Sequence, residues 1–177
     1  MTELKHNLLV TGFLVFLSSC KPSKEQMILK KWQAVSVESP GMEKMIEESR
    51  SFYDTIGKST SRAQNLAIYG VSNMDSFRTI LMAQLDSLVN QQNQTVQNTW
   101  LEFMRDSTVA AAFGSAPDTI KWYFDDEGNL MLDEMEQKGT GSRIKMEVLK
   151  LEDSVLQLRF VESNFTSVAT FKPVARQ

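Results

Sequence analysis

Thr119-Ile120-Lys121-Trp122-Tyr123-Phe124, then Asp125-Asp126-Glu127-Gly128, then Asn129-Leu130-Met131-Leu132-Asp133 is the stretch on which the fold turns. Two short runs rich in aromatic and aliphatic residues, separated by a carboxylate-rich turn ending in glycine, read as a β-hairpin. The same pattern recurs on either side. Thr99 to Met104 and Thr108 to Phe113 flank Arg105-Asp106-Ser107, Arg143 to Leu149 and Val155 to Val161 flank a turn near Glu152-Asp153, and Phe165 to Lys172 closes the series. Lys31 to Glu38, which alternates apolar and polar residues until Pro40-Gly41 stops it, supplies one more strand. Seven of these eight strands follow one another as hairpins. An antiparallel meander of that length best removes its exposed edges by closing on itself. The expected class is mainly β, an eight-stranded antiparallel up-and-down barrel with a helical insertion after the first strand.

That insertion, at about residues 41–95, changes the period of the apolar pattern. Met42, Met45, Ile46, Phe52, Tyr53 and Ile56 fall at helical offsets, with Gly57 suited to a helix end. Arg62 to Tyr69 reads as a short helix stopped by Gly70. Ser72 with Asp75 reads as the cap of a longer helix whose stripe is Met74, Phe77, Ile80, Leu81, Leu85, Leu88 and Val89. The amide-rich Asn90 to Asn98 reads as the exit from it. Such stripes are packing faces far more often than cofactor boxes.

The chain's beginning points to export. Met1 to Asn7 is short and polar, Leu8 to Leu17 is an apolar run of ten broken by Thr11 and Gly12, and small Ser18 and Ser19 precede Cys20, the one cysteine. This is the layout of a cleaved signal over residues 1–19, too short to span a bilayer permanently. Leu17-Ser18-Ser19-Cys20 resembles the lipobox of bacterial lipoproteins. The resemblance implies that the Cys20 thiol receives a diacylglycerol, that the chain is cut just before it, and that the new amine gains a fatty acyl chain such as palmitate. Each buried methylene contributes about 0.8 kcal/mol, so two or three chains on one residue make a stable anchor. Residues 20–27 then form a lipidated tether, polar over Lys21 to Glu25, and residues 28–177 form the domain. No acidic run follows Cys20 and no aspartate stands beside it, which favours an outer-membrane anchor with the domain facing the periplasm.

A strand carrying Trp32, a hairpin with an aspartate in its turn, a Trp122 strand followed by the Gly128 turn, and two closing hairpin strands resemble the lipocalin-like domains of many bacterial lipoproteins. The resemblance spans most of residues 28–173 and implies a barrel interior lined by residues such as Trp32, Trp122, Phe124, Leu156, Leu158 and Phe160. The insertion lies where lipocalins carry the large loop over the barrel mouth, as a lid or as a plug.

Competing chemistries find little support. Residues 1–19 contain the only histidine, His6, so the mature chain lacks a Ser-His or Cys-His pair. Gly57-Lys58-Ser59 imitates the end of a phosphate-binding loop, but Phe52 occupies the position of its first glycine. Asp125 to Asn129 clusters carboxylates without the spacing of a calcium loop, and Asp133 with Glu136 is indistinguishable from a solvated loop. No enzyme, metal or cofactor is expected. The net charge of −3 gives no basic footprint for nucleic acid. Asp54-Thr55-Ile56, Asp86-Ser87-Leu88, Asp106-Ser107-Thr108, Asp118-Thr119-Ile120 and Asp153-Ser154-Val155 resemble acceptor triplets of a bacterial O-glycosylation system, and serve equally as cap and turn chemistry. Two functions follow: a membrane-anchored, non-enzymatic barrel holding a small apolar ligand, or an envelope adaptor with a filled barrel that acts through protein contacts.

Overall fold

The computed structural model describes residues 22–175 apart from Ser163. Residues 1–21, and with them the signal and Cys20, lie outside the described residues. Eight antiparallel strands close into a barrel in sequence order: β1 (Lys31–Glu38), β2 (Thr99–Phe103), β3 (Thr108–Phe113), β4 (Asp118–Phe124), β5 (Leu130–Asp133), β6 (Arg143–Glu152), β7 (Val155–Glu162) and β8 (Phe165–Pro173). Closure is made by β8 pairing with β1, where Ala34 faces Phe171 and Val37 faces Ala169. Register slips between Ala34 and Ser36 on β1 and between Val148 and Lys150 on β6 bend these strands, as bulges do where a sheet must curl on itself.

Alternation along the strands decides which side chains meet inside. Leu156 and Leu158 on β7, Ala169 and Phe171 on β8, and Trp32 and Ala34 on β1 are all buried, joined by Leu101, Val109, Ile120, Trp122, Leu130 and Leu132 from the other strands. Each fully buried large side chain contributes roughly 1.5–3 kcal/mol relative to exposure.

The strand order gives the barrel two ends with different neighbours. At one end are the starts of β1, β3, β5 and β7 and the short turns at Arg105-Asp106-Ser107, Asp125 to Gly128 and Asp153-Ser154. Here also lies α1 (Lys24–Ile28), a single turn started by a capping box in which the Ser23 hydroxyl accepts from the Gln26 N–H while the Gln26 side chain accepts from the Ser23 N–H. The sequence reading placed a lipidated tether over residues 20–27; Ser-x-x-Gln converts its second half into a helix that buries Ile28.

At the other end the insertion leaves and re-enters the barrel as α2 (Pro40–Thr55), α3 (Arg62–Tyr69) and α4 (Met74–Gln97). Helices α2 and α4 run antiparallel, Arg50 bonding Asp86 at 2.7 Å and Arg78 donating to the Ile56 carbonyl at 2.7 Å. They pack on each other, α2 also on β8 and α4 also on β1. Gly41 makes the contact of α2 with β8 feasible, because a Cβ there would sit 2.6 Å from the Phe165 ring.

Several boundaries differ from the sequence reading. The cap of α4 is Asn73, whose side chain accepts from the Ser76 N–H at 3.1 Å, and not Ser72. The helix continues through the amide-rich segment to Gln97, since glutamine is a good helix former and the apolar Val96 packs against the barrel core. Asp133 ends β5 and at once caps a further turn, α5 (Glu134–Lys138), in place of the expected loop.

Candidate functional site

At the α1 end the barrel is packed shut. Trp32 is fully buried and its indole N–H donates to the Ile28 carbonyl at 2.9 Å, tying the first strand to the helix laid across that end. Phe103, Trp122 and Phe124 form an edge-to-face series, with ring centroids 5.3 Å and 5.9 Å apart. The Lys24 ammonium lies 5.9 Å from the Phe124 centroid, and Lys30 lies over Trp32 at 5.2 Å while pairing with Asp153. Outside this seal, a groove of about 990 Å³ runs past Lys30, Lys31, Glu102 and Arg105, and a hollow of about 310 Å³ lies against Trp122 and Phe124.

The opposite end is open within. A cavity of about 500 Å³ is lined mainly by Val37, Val96, Ile144, Met146, Leu158, Phe160, Ala169 and Phe171, a size within the usual range for small-molecule sites. Leu158, Ala169, Phe171 and Met146 are buried and make its floor, while Val161, 70% exposed, and Phe113, 45% exposed, stand at its lip. The last turns of α4 supply Gln92, Thr95 and Val96 to one wall. They are held there by the β3–β4 loop: Gly114, at φ +72°, comes so near that a Cβ would lie 2.7 Å from Thr95.

The six interior residues expected from sequence separate into three groups. Leu158 and Phe160 line the mouth cavity; Trp32 and Leu156 are fully buried in the core; Trp122 and Phe124 belong to the aromatic series at the sealed end and line its outer hollow. Most of the remaining lining escaped the sequence reading. The signal that could have found it is alternation combined with strand direction, which places Val37, Ile144 and Ala169 near the same end of β1, β6 and β8.

No family model matches this chain, and no curated protein or solved structure matches it significantly. The site is therefore judged on its own chemistry. Among the described residues no group of three or more histidine, cysteine, aspartate or glutamate side chains could hold a metal ion, and no helix is long and apolar enough to cross a membrane.

The carboxylate clusters considered from the sequence have structural partners. Asp125 accepts from the Asn129 backbone at 2.8 Å and from its side chain, and pairs with Lys145 at 3.2 Å. Burial pushes the Asp125 carboxyl upward, but the hydrogen bonds from Asn129 and Lys145 outweigh it and hold the pKa at about 2. Asp133, wholly buried, caps α5 and pairs with Arg143 at 2.5 Å; the Glu136 N–H and Arg143 together lower its pKa. Of the aspartates in the Asp-Ser/Thr triplets, Asp106 accepts from both the Thr108 N–H and hydroxyl, Asp118 from the Thr119 N–H, Asp54 pairs with Lys58, Asp86 with Arg50 and Asp153 with Lys30.

Proposed function

We propose that this chain is a lipid-anchored binding protein of the bacterial envelope: a lipocalin-like barrel, non-enzymatic, held to the membrane through Cys20 and taking a small apolar ligand into its mouth. The observation that carries the reading is the asymmetry of the barrel. One end is closed by α1 and edge-to-face aromatics, while the other retains an apolar cavity walled on one side by the helical insertion. Filled barrels need no such cavity, and a pocket in a barrel mouth is a usual place for a small ligand.

The anchor and the mouth lie at opposite ends. Only Lys21, Pro22 and Ser23 separate Cys20 from α1, and a chain reaches at most ~3.6 Å per residue, so the lipid holds the sealed end within about 14 Å of the membrane surface. With the barrel standing on that end, the mouth opens away from the membrane, towards the periplasm if the anchor is in the outer membrane. Ligand exchange in this arrangement is with the aqueous space or a facing partner rather than with the anchoring leaflet.

Two measurements test the parts separately. Cys20→Ser should leave the precursor unlipidated and move the protein out of the membrane fraction; normal processing and retention would remove the anchor. Ala169→Phe, directed into the cavity, should abolish binding of the neutral apolar dye Nile red while the barrel remains folded. Unchanged dye binding would remove the cavity as the site.

A second reading, an adaptor, is favoured by a specific feature. Phe52, Ile68 and Leu88, one on each of the three insertion helices, are 58%, 61% and 62% exposed, large apolar side chains that no element of the described structure covers. In that case Phe52→Ser with Leu88→Ser would abolish a reproducible cross-link to an envelope protein in native membranes and leave Nile red binding intact.

A further inference from the structure

The polar groups at the mouth restrict the ligand further. Among the described residues lining the cavity there is no lysine, arginine or histidine, and the single charged side chain is Glu162 at the end of β7. The uncharged polar side chains are largely committed as donors. The Thr95 hydroxyl donates to the Gln91 carbonyl at 3.0 Å, the Thr99 hydroxyl donates to the Thr95 carbonyl at 2.8 Å, and the Gln92 amide nitrogen is turned to the Met42 sulfur at 2.9 Å. Apart from the second Gln92 N–H, what the mouth still offers an incoming group is lone pairs: two hydroxyl oxygens, an amide oxygen and the Glu162 carboxylate.

The cations near this end do not alter that balance. Lys44 on α2 pairs with Glu48 at 3.8 Å, Arg143 at the start of β6 pairs with buried Asp133, and Lys138 on α5 bonds Asp118 with Glu134 at 4.0 Å. An anionic head at the mouth would meet acceptors without a compensating charge, and would lie near another carboxylate. A head that brings hydrogen atoms would find four acceptors waiting.

We propose that the cavity selects a single-chain amphiphile whose head donates hydrogen bonds and carries no negative charge, a long-chain alcohol or amine, and discriminates against the corresponding fatty acid. The apolar floor takes the chain, and Gln92, Thr95, Thr99 and Glu162 take the head. This rests on the mouth cavity being the binding site.

The test is competition against Nile red at neutral pH with three ligands of one chain length: dodecanol, dodecylamine and dodecanoate. The mature chain, residues 20–177 with Cys20→Ser, keeps every barrel residue, avoids detergent and leaves out the apolar run Leu8–Leu17 that would itself take up the dye. Dodecanol and dodecylamine should displace the dye about tenfold or more better than dodecanoate. Glu162→Gln should weaken dodecylamine while leaving dodecanol unchanged, and Glu162→Lys should strengthen dodecanoate; the position is exposed, so both variants should fold. Dodecanoate binding as well as the alcohol, or insensitivity of all three to Glu162→Lys, would overturn the head-group assignment while leaving the cavity as a site. Failure of Nile red and all three ligands to bind would overturn the cavity reading itself, and this assignment with it.

Discussion

The two ends of this barrel are built from the same eight strands and yet do opposite things. At the α1 end, large side chains converge: Trp32, Phe103, Trp122 and Phe124 fill the space and α1 is bonded across the opening. At the insertion end Phe160 and Phe171 also line the interior, but Ala169 and Val37 on the strands and Val96 on α4 are small enough that a cavity of about 500 Å³ remains between them. A barrel of eight strands is just wide enough for either outcome. Side-chain volume, set strand end by strand end, decides which one occurs, and concentrating the packing at one end lets the other stay open without losing the fold.

The largest expected effect separates the ends by stability. Trp32→Ala removes a fully buried indole and its bond to Ile28, and should cost about 3–5 kcal/mol in urea unfolding. Phe160→Ala, at a half-buried position facing the cavity, should cost less than half as much, because the ring it removes borders the open cavity on one side. Equal losses would mean that the mouth is as tightly built as the seal.

A smaller effect probes how the seal is held. Ser23→Ala breaks the capping box that starts α1 and should cost about 1 kcal/mol. It should also raise the acrylamide quenching of tryptophan fluorescence, since Trp32 is covered by the carbonyl end of that helix; quenching unchanged from wild type would show that α1 is dispensable.

The smallest effect is one of pH. The Asp125 pKa lies at about 2, below the ordinary 3.8, so its network at the sealed end stabilises the fold fully above the ordinary value and loses that contribution as pH falls towards about 2. Asn129→Ala removes the two side-chain hydrogen bonds from residue 129 and leaves its backbone N–H in place. The carboxyl pKa, followed by carbon NMR, should rise towards 3.8 and acid unfolding should begin at higher pH. An unmoved Asp125 titration would place the depression in the backbone N–H of residue 129 and in Lys145.

Much of the architecture could be read from local pattern. Each strand is a run of apolar alternation bounded by a turn, and the β4–β5 hairpin about Asp125 to Gly128 needs no distant residue to be recognised. Helix α3 is legible from Arg62 to Tyr69 because Gly70 stops it, and Gly70 does take the left-handed conformation. What was misread depends on partners far along the chain. The last turns of α4 are polar and look like a loop, but Val96 rests on the barrel and Thr95 packs under Gly114. The turn α5 is five residues long, and Arg143, ten positions away, pairs with the buried Asp133 that caps it. The site divides in the same way: Leu158 and Phe160 were foreseen as interior residues, but Gln92, Thr95 and Glu162 have no individual signature.

The sequence by itself determined the number of strands, their antiparallel order and the place of the insertion, because turn chemistry and apolar period act over a few residues at a time. It also contains the Leu17-Ser18-Ser19-Cys20 motif, on which the proposed anchor rests. Only the tertiary structure decided which end is filled and which is open. That outcome depends on how side chains from β1, β6, β7, β8 and α4, separated by up to more than a hundred residues, share one volume after closure, and no local pattern encodes a volume.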